Sequence, residues 1–198
     1  MAAMQRLAII DRAEPAMRCI SAVAELNRES RELITTIALY MQDTAPWIGR
    51  EADEAVMLGR EASAGADSRL DPARLLTALT AARADALWAG WGLIAEPAEL
   101  ARLCEREGIV VIGPSSDVLR RLGDRAELRQ LAEGAGIPVA PWPGGPADER
   151  ASAATWPRYT EVQVVADGLG TAWAVGVRDA SIRQRNQVVI VEIGGAHV

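Results

Sequence analysis

The segment Leu7-Ala8-Ile9-Ile10-Asp11-Arg12-Ala13-Glu14-Pro15-Ala16-Met17-Arg18 decides the fold class. Its first four residues form a short apolar run bounded by charge, which is typical of a buried strand. Apolar residues then recur at helical spacing over residues 14–26, at Met17, Ile20, Val23, Ala24 and Leu26. The segment therefore predicts a strand followed directly by a helix.

The same alternation continues as far as residue 141. Apolar runs predict further strands at 33–40, 54–58, 85–91 and 108–112. Helices are expected at 72–83, at 97–107, from Ser115 or Ser116 to Leu122, and at 124–134. Asp71 is the expected N-cap of the helix that starts at Pro72. Apolar strands that alternate with helices predict a mainly parallel sheet covered on both faces.

The character of the chain changes after residue 141. Residues 142–157 are dense in Pro, Gly and Ala and are predicted to be a linker. A hairpin of two strands, 159–166 and 171–177, and a third strand at 188–193 are expected beyond it. The predicted organisation is a domain over 1–141, the linker over 142–157 and an antiparallel β segment over 158–198.

Composition restricts the class of function. The chain has 198 residues, 49% of them apolar, and a formal charge of -6, which argues against nucleic acid or an anionic membrane as a partner. Residues 1–10 lack the apolar stretch and cleavage site of a signal peptide, and the sequence has no apolar stretch of about 20 residues, so we expect a cytoplasmic protein. Cys19 and Cys104 lie in helical apolar patterns and are predicted to be reduced thiols. The single histidine, His197, makes histidine-based catalysis and metal sites improbable.

The chain contains no lysine: all 21 basic residues are arginine, and phenylalanine is absent as well. Alanine is abundant, so a coding bias toward GC-rich codons explains much of the deficit. A second interpretation is the loss of lysine-dependent phosphate chemistry.

Four groups of segments, in order along the chain, resemble the biotin carboxylase part of acyl-CoA carboxylases, most of all the fused actinobacterial type. They are residues 8–18; residues 88–96; residues 111–115 with 122–125; and residues 161–168 with 178–182. Each is weak alone, and their shared order makes the match specific. The resemblance implies a Rossmann-like parallel-sheet N-terminal (pre-ATP-grasp) domain followed by a short antiparallel β remnant of an ATP-grasp domain.

The resemblance also implies an activity. In that family ATP, Mg and bicarbonate give carboxyphosphate, and the carboxyl group passes to biotin on a carrier protein. ATP and Mg are thus the implied cofactors, and biotin is implied only as a substrate. The implied partners are the biotin carboxyl carrier protein and carboxyltransferase subunits or domains, with a homodimer as a further expectation.

The candidate site residues come from the same resemblance. Arg125 stands where the family has an ATP-contacting lysine, which keeps the charge but replaces an ammonium by a planar fork. Tyr159 replaces a histidine, and Asn186 precedes Gln187-Val188, where the family has a Gln-Lys pair. These are the candidate ATP-binding positions, and Glu161 matches the biotin and bicarbonate side. No catalytic residue and no metal ligand is assigned.

Two family features are missing from the sequence. The Gly-rich loop that covers the phosphates belongs between residues 143 and 157, and the chain stops soon after Glu192, before the family's metal-binding carboxylates. We therefore expect a truncated, internally deleted chain without independent activity. The alternatives are a noncatalytic module that binds other carboxylase subunits, and nucleotide binding by Arg125 and the Gly113 loop without turnover.

Several residues have a structural interpretation beside the functional one. Gly90, Gly92 and Gly113 serve either turn geometry or ligand approach, and Trp88 and Trp91 either pack in the core or line a pocket. Alternation along its strand would place Glu161 on a solvent-facing side. The arginines at 178, 183 and 185 are interpreted as a solvated charged edge.

Overall fold

The computed structural model describes residues 4–11, 14–30, 33–41, 47–59, 71–90, 97–137, 139, 160–184 and 187–193. At 97, 125, 183–184 and 187–193 this description covers the backbone alone. The chain divides into two compact units, Met1–Val139 and Ala140–Val198. Among the helices that the structure describes, none has the length and apolar character that a membrane span requires.

The first unit is built on a parallel sheet of five strands in the order β3-β2-β1-β4-β5. The strands are β1 (Arg6–Ile9), β2 (Thr35–Met41), β3 (Glu54–Gly59), β4 (Ala86–Trp88) and β5 (Val110–Val111). The chain adds β2 and β3 on one side of β1 and then returns to the other side for β4 and β5. The predicted Rossmann-like parallel sheet is confirmed.

Helices lie between these strands, and two more follow the last of them. They are α1 (Glu14–Glu29), α2 (Ile48–Glu51), α3 (Pro72–Ala81), α4 (Pro97–Arg106), α5 (Ser116–Gly123) and α6 (Arg125–Gly134). Asp71 caps α3 by accepting a hydrogen bond from the Ala73 N–H at 3.0 Å, as predicted, and Ser115 caps α5. The sequence did not predict α2, because four residues are too few to show helical periodicity.

The core has two layers, one on each face of the sheet. Along β1, Leu7 and Ile9 join the cluster that includes Ile20 and Val23 of α1. The intervening Ala8, together with Ile10 just past the strand, joins the cluster on the opposite face. That second cluster contains Ile37, Leu39, Leu75, Leu79, Leu87, Leu100 and Cys104, with α3 and α4 covering the sheet. The near-continuous apolar run at 7–10 thus reflects a strand buried on both faces.

The second unit is an antiparallel sheet in the order β6-β7-β8, formed by β6 (Thr160–Ala166), β7 (Ala172–Gln184) and β8 (Gln187–Ile193). The turn between β6 and β7 is fixed by the Asp167 carboxylate, which accepts hydrogen bonds from the N–H groups of Leu169 at 2.7 Å and Thr171 at 3.0 Å. These two bonds hold the pKa of Asp167 below its ordinary value.

The sequence interpretation of the arginines at 178, 183 and 185 as a charged sheet edge is wrong for the two that the structure describes. Residues 178 and 183 lie in β7, which is the central strand and not an edge, and residue 185 lies outside the described residues. The polar residues at the start of this continuation do not alternate with apolar ones. The Asp179 carboxylate accepts a hydrogen bond from the N–H of Ser181, and among the described side chains of 178–182 Ala180 alone is buried. Pairing with β8 extends the strand where alternation alone predicted its end.

Candidate functional site

The carboxyl ends of β1 and β4 meet at the centre of the parallel sheet. Because β2 lies on one side of β1 and β4 on the other, the chain reverses its direction of strand addition between them. Open α/β sheets bind ligands at such a switch point, outside the carboxyl ends of the strands. The N–H of Ile10 donates to the Trp88 carbonyl at 3.0 Å and holds the two ends together.

Asp11 and Gly90 contact each other at this switch point. Asp11 directly follows the apolar run and is only 8% exposed. Gly90 has a φ of +52°, and a Cβ on it would lie 1.8 Å from Asp11 Oδ2. The Asp11 carboxylate therefore occupies the volume that a side chain at position 90 would need. Both this contact and the positive φ require glycine at that position. Asp11 was not singled out from the sequence, although a polar residue right after the first buried strand was the available signal.

A small pocket of about 110 Å³ lies beside this contact. It opens between the ends of β4 and β5 and the helices α4 and α5, and its lining includes Trp88, Gly90, Leu100, Ile112, Gly113 and Leu119. Trp88 both lines this pocket and packs against the core cluster of α1. Pockets for drug-sized ligands usually measure about 300–1,000 Å³, so this one suits a group of side-chain size.

The amino end of α5, next to the pocket, is satisfied by the protein itself. Glu105 of α4 accepts hydrogen bonds from the N–H of Ser116 at 2.8 Å and from its hydroxyl at 2.6 Å. These bonds hold the pKa of Glu105 below its ordinary range. A carboxylate of the chain thus stands where a helix amino terminus would otherwise attract an anion.

The structure describes one of the four predicted site residues in full. Arg125 begins α6, but its side chain lies outside the description, and so do Tyr159 and Asn186 entirely. The carboxylate of Glu161 in β6 accepts a hydrogen bond from Arg178 Nε at 2.6 Å, across the strand pair. Glu161 is therefore engaged by its neighbour in the sheet, and the roles of all four residues stay predictions.

A magnesium–ATP site requires carboxylates for the metal and cations for the phosphates. Within the described ranges no three His, Cys, Asp or Glu side chains come together to hold a metal ion. Arg120 and Arg121 of α5 are paired with Asp117 and Glu127, at 2.9 Å and 2.6 Å. The side chains that the structure describes therefore do not fit magnesium and ATP, and no step is assigned to them.

Comparison with known proteins places this sheet in a family. Residues 3–119, more than half of the chain, match the biotin carboxylase N-terminal domain. The pyruvate carboxylase of Bacillus subtilis is 38% identical over 146 residues, which are 73% of this chain and 12% of that protein. The urea amidolyase of Lachancea kluyveri is 29% identical over 242 positions, which cover 93% of this chain and 13% of that protein. The chain thus spans a small part of the curated relatives that it matches.

Solved structures agree with the sequence matches. The biotin carboxylase domain of a single-chain bacterial carboxylase aligns with a TM-score of 0.78 and 29% identity, over 98% of this chain and 51% of that one. A single-chain, multi-domain long-chain acyl-CoA carboxylase aligns with a TM-score of 0.76 and 31% identity, over 98% of this chain and 18% of that one.

Proposed function

The chain belongs to the biotin carboxylase N-terminal domain family, and from this premise we propose that it is a biotin carboxylase-like component of an acyl-CoA carboxylase. The reaction of such a component is the ATP- and bicarbonate-dependent carboxylation of biotin on a carrier protein. The match of residues 3–119 to the family carries this proposal. The likeness to a long-chain acyl-CoA carboxylase supports the choice of acyl-CoA as substrate class.

We propose further that the chain has no independent carboxylase activity. Phosphoryl transfer depends on cations and metal ions held against the phosphate oxygens, and the described side chains do not supply such a site. The match to the urea amidolyase runs over 242 positions. This exceeds the 198 residues of the chain, so at least 44 of those positions have no residue opposite them. A missing lid between residues 143 and 157 is consistent with this difference.

The proposed domains are 1–141, related to the family's N-terminal domain, and 158–198, a partial ATP-grasp β segment, joined by the linker 142–157. ATP contacts are proposed for Arg125, Tyr159 and Asn186, and contact with biotin or bicarbonate for Glu161. Glu161 would first have to leave Arg178, with which it is paired at 2.6 Å. The proposed compartment is the cytoplasm, and the proposed partners are the carrier protein and the carboxyltransferase.

A second candidate is a noncatalytic module that binds other carboxylase subunits. Exposed apolar side chains in the second unit favour it, because monomeric proteins rarely expose several large apolar groups together. These side chains are Val162, Val164, Val165, Trp173 and Val175.

Nucleotide handling tests the proposal. Purified chain is assayed for biotin- and bicarbonate-dependent ATP hydrolysis beside an active biotin carboxylase, and ATP binding is measured by calorimetry. We expect no hydrolysis. If ATP binds, Arg125→Ala should abolish the binding, while Arg28→Ala, an exposed arginine of α1, should leave it unchanged.

Each outcome has a distinct meaning. Biotin-dependent hydrolysis by the chain alone would contradict its inactivity and remove the noncatalytic candidate. If the chain binds neither ATP nor the carrier and carboxyltransferase subunits, the proposed carboxylase role is wrong, and the family assignment of the fold remains.

A further inference from the structure

The pocket between the ends of β4 and β5 and the helices α4 and α5 plays no part in either function proposed above. Its volume is about 110 Å³. An engineered apolar cavity of about 150 Å³ stays free of water and binds benzene or xenon. The pocket beside Gly90 is therefore of the size that holds one hydrocarbon ring, and it is too small for a fused ring system or a nucleotide.

The walls of this pocket are apolar. None of the described residues that line it has an ionisable or hydroxyl side chain. Leu87 of β4 and Leu100 and Ala101 of α4 are buried residues of the lining, and Ile112 and Leu119 add further aliphatic surface. A polar ligand would lose its hydrogen bonds to water on entering such a lining. The lining therefore favours an apolar ligand.

Backbone donors in the lining already have partners. The N–H of Ile112 donates to the Leu87 carbonyl at 2.8 Å. The N–H of Leu119 donates to the Ser115 carbonyl at 2.9 Å, within the first turn of α5. These two donors are engaged by the fold and do not orient a polar ligand. The contact with a ligand would rest on the burial of apolar surface and on dispersion.

The two helical walls are held together by the chain itself. Glu105 of α4 accepts a hydrogen bond from the Ser116 hydroxyl of α5 at 2.6 Å. Because this bond joins the helices before any ligand enters, binding requires little further ordering of the protein. The carboxylates of Glu105 and of Asp11, which contacts the lining residue Gly90, also disfavour an anionic ligand.

We propose that this pocket is a binding site for an uncharged small molecule, which it holds by one unfused hydrocarbon ring. The site lies outside the carboxyl ends of β4 and β5, where open α/β sheets bind ligands. It does not depend on the proposed carboxylase role, because it needs neither ATP nor a carrier protein.

Benzene is the probe that tests the site. The full chain, isotopically labelled, is titrated with benzene up to its solubility in water, and the amide chemical shifts are followed by NMR. The amides of Ile112, Gly113 and Leu119 should shift and reach saturation, because these residues line the pocket. The amides of β3, at the opposite edge of the parallel sheet, should not shift.

A variant that fills the pocket identifies the binding site. Ala101→Leu should raise the benzene dissociation constant at least about tenfold, because the larger side chain takes up the space of the ring. Ala78→Leu is the matched control: Ala78 of α3 packs against the same core cluster but does not line the pocket. Circular dichroism verifies folding, and Leu119→Trp replaces Ala101→Leu if that variant unfolds.

Pyridine tests the chemical class of the ligand. It has the shape of benzene but carries a hydrogen-bond acceptor, and it is uncharged at pH 8. Pyridine should bind at least about fivefold more weakly than benzene, because its nitrogen would be buried without a donor. Equal or tighter binding of pyridine would overturn the apolar class.

Three further results would overturn the proposal. The first is an absence of amide shifts at benzene saturation. The second is binding that a folded Ala101→Leu or Leu119→Trp variant leaves unchanged, or that Ala78→Leu weakens equally. The third is a set of shifts that spreads without saturation over the exposed apolar residues of β6 and β7, which would show nonspecific contact.

Discussion

At the scale of single residues, Gly90 satisfies two separate requirements. Its φ of +52° favours glycine, and the Asp11 carboxylate fills the space beside its Cα. Gly108 has a similar φ of +72°, but a Cβ there would meet nothing within 4 Å. A substitution at Gly108 therefore introduces backbone strain alone, whereas a substitution at Gly90 introduces both backbone strain and a steric clash.

Replacing Gly90 should cost more stability than replacing Gly108. Gly108→Ala should lower the free energy of unfolding by about 1–2 kcal/mol through φ strain alone. Gly90→Ala should lower it by about 1–3 kcal/mol more, because the new methyl group overlaps a buried carboxylate. Urea unfolding of both variants measures the difference.

A double variant, Asp11→Ala with Gly90→Ala, tests whether overlap with the Asp11 carboxylate causes the larger loss of stability. The double variant should lose less stability than the sum of the single changes, because the two shortest contacts are gone. Strict additivity would show that the Asp11 contact does not determine the cost.

The two thiols should react slowly in the folded chain. Burial raises the pKa of Cys104 to about 11, and that of Cys19 also to about 11. Since the thiolate is the reactive form, a thiol reagent at pH 8 should modify both cysteines much more slowly in the native chain than in denaturant. Rapid native modification of Cys104 would contradict its buried position on the core-facing side of α4. Their free state agrees with the sequence prediction.

At the scale of elements, one carboxylate links the starts of β2 and β3. Asp53 Oδ2 accepts hydrogen bonds from the N–H of Thr36 at 2.8 Å and from its hydroxyl at 2.7 Å. These bonds hold the pKa of Asp53 below its ordinary value. Because the folded-state pKa is the lower one, the stabilisation is present above pH 4 and is lost as the pH falls through the folded value.

Replacing Asp53 should weaken this acid dependence. Asp53→Ala should lower the free energy of unfolding at pH 7 by about 1 kcal/mol. It should also reduce the slope of stability against pH below pH 4, as measured by urea unfolding at several pH values. Some slope should persist, because the Arg6 guanidinium lowers the pKa of Glu54 in the same way. If the slope of stability against pH is the same in Asp53→Ala as in the wild-type chain, the acid dependence comes from other carboxylates.

Local chemistry determined which elements could be predicted. The caps at Asp71 and Ser115 were recognisable because a short polar side chain precedes a helical pattern. The end of β7 was misplaced, because its continuation depends on pairing with β8 and not on alternation within residues 178–184. The Asp11–Gly90 contact joins residues far apart in sequence, so it required the order of the strands.

At the scale of the whole molecule, the two units bury their strands very differently. The strand β1 is sealed on both faces, whereas six of the seven residues of β6 and six of the eleven β7 residues with described side chains are exposed. A sheet with three or more strands needs a covered apolar face for independent stability. The first unit therefore holds most of the stable core that the structure describes.

Hydrogen exchange should reveal this contrast. Amides of residues 160–177 should exchange orders of magnitude faster than those of β1 and β2, because local opening of an exposed sheet costs little free energy. Exchange followed by mass spectrometry measures both regions in one sample. Equal protection of β6 and β1 would show that something covers the second sheet.

The fold was predictable as a whole, and the site was not. Apolar strands alternating with helices require a parallel sheet, and four ordered motifs identified the family. The candidate ATP contacts were transferred from that resemblance alone, and their side chains lie outside the described residues. The pocket and the switch point arise from strand order and helix packing, which no single segment encodes.

The position of β1 has a consequence for biosynthesis. It leaves the ribosome before the other strands of its sheet, yet its pairing with β4 joins residues about 80 positions apart. Beside that pairing, the Arg6 N–H donates to the carboxylate of Asp85, just before β4. Until β4 emerges, β1 can pair only with β2, and its other edge is open. The nascent chain therefore exposes an unpaired apolar strand during translation, the stage at which a chaperone that recognises extended segments would protect it from misassembly.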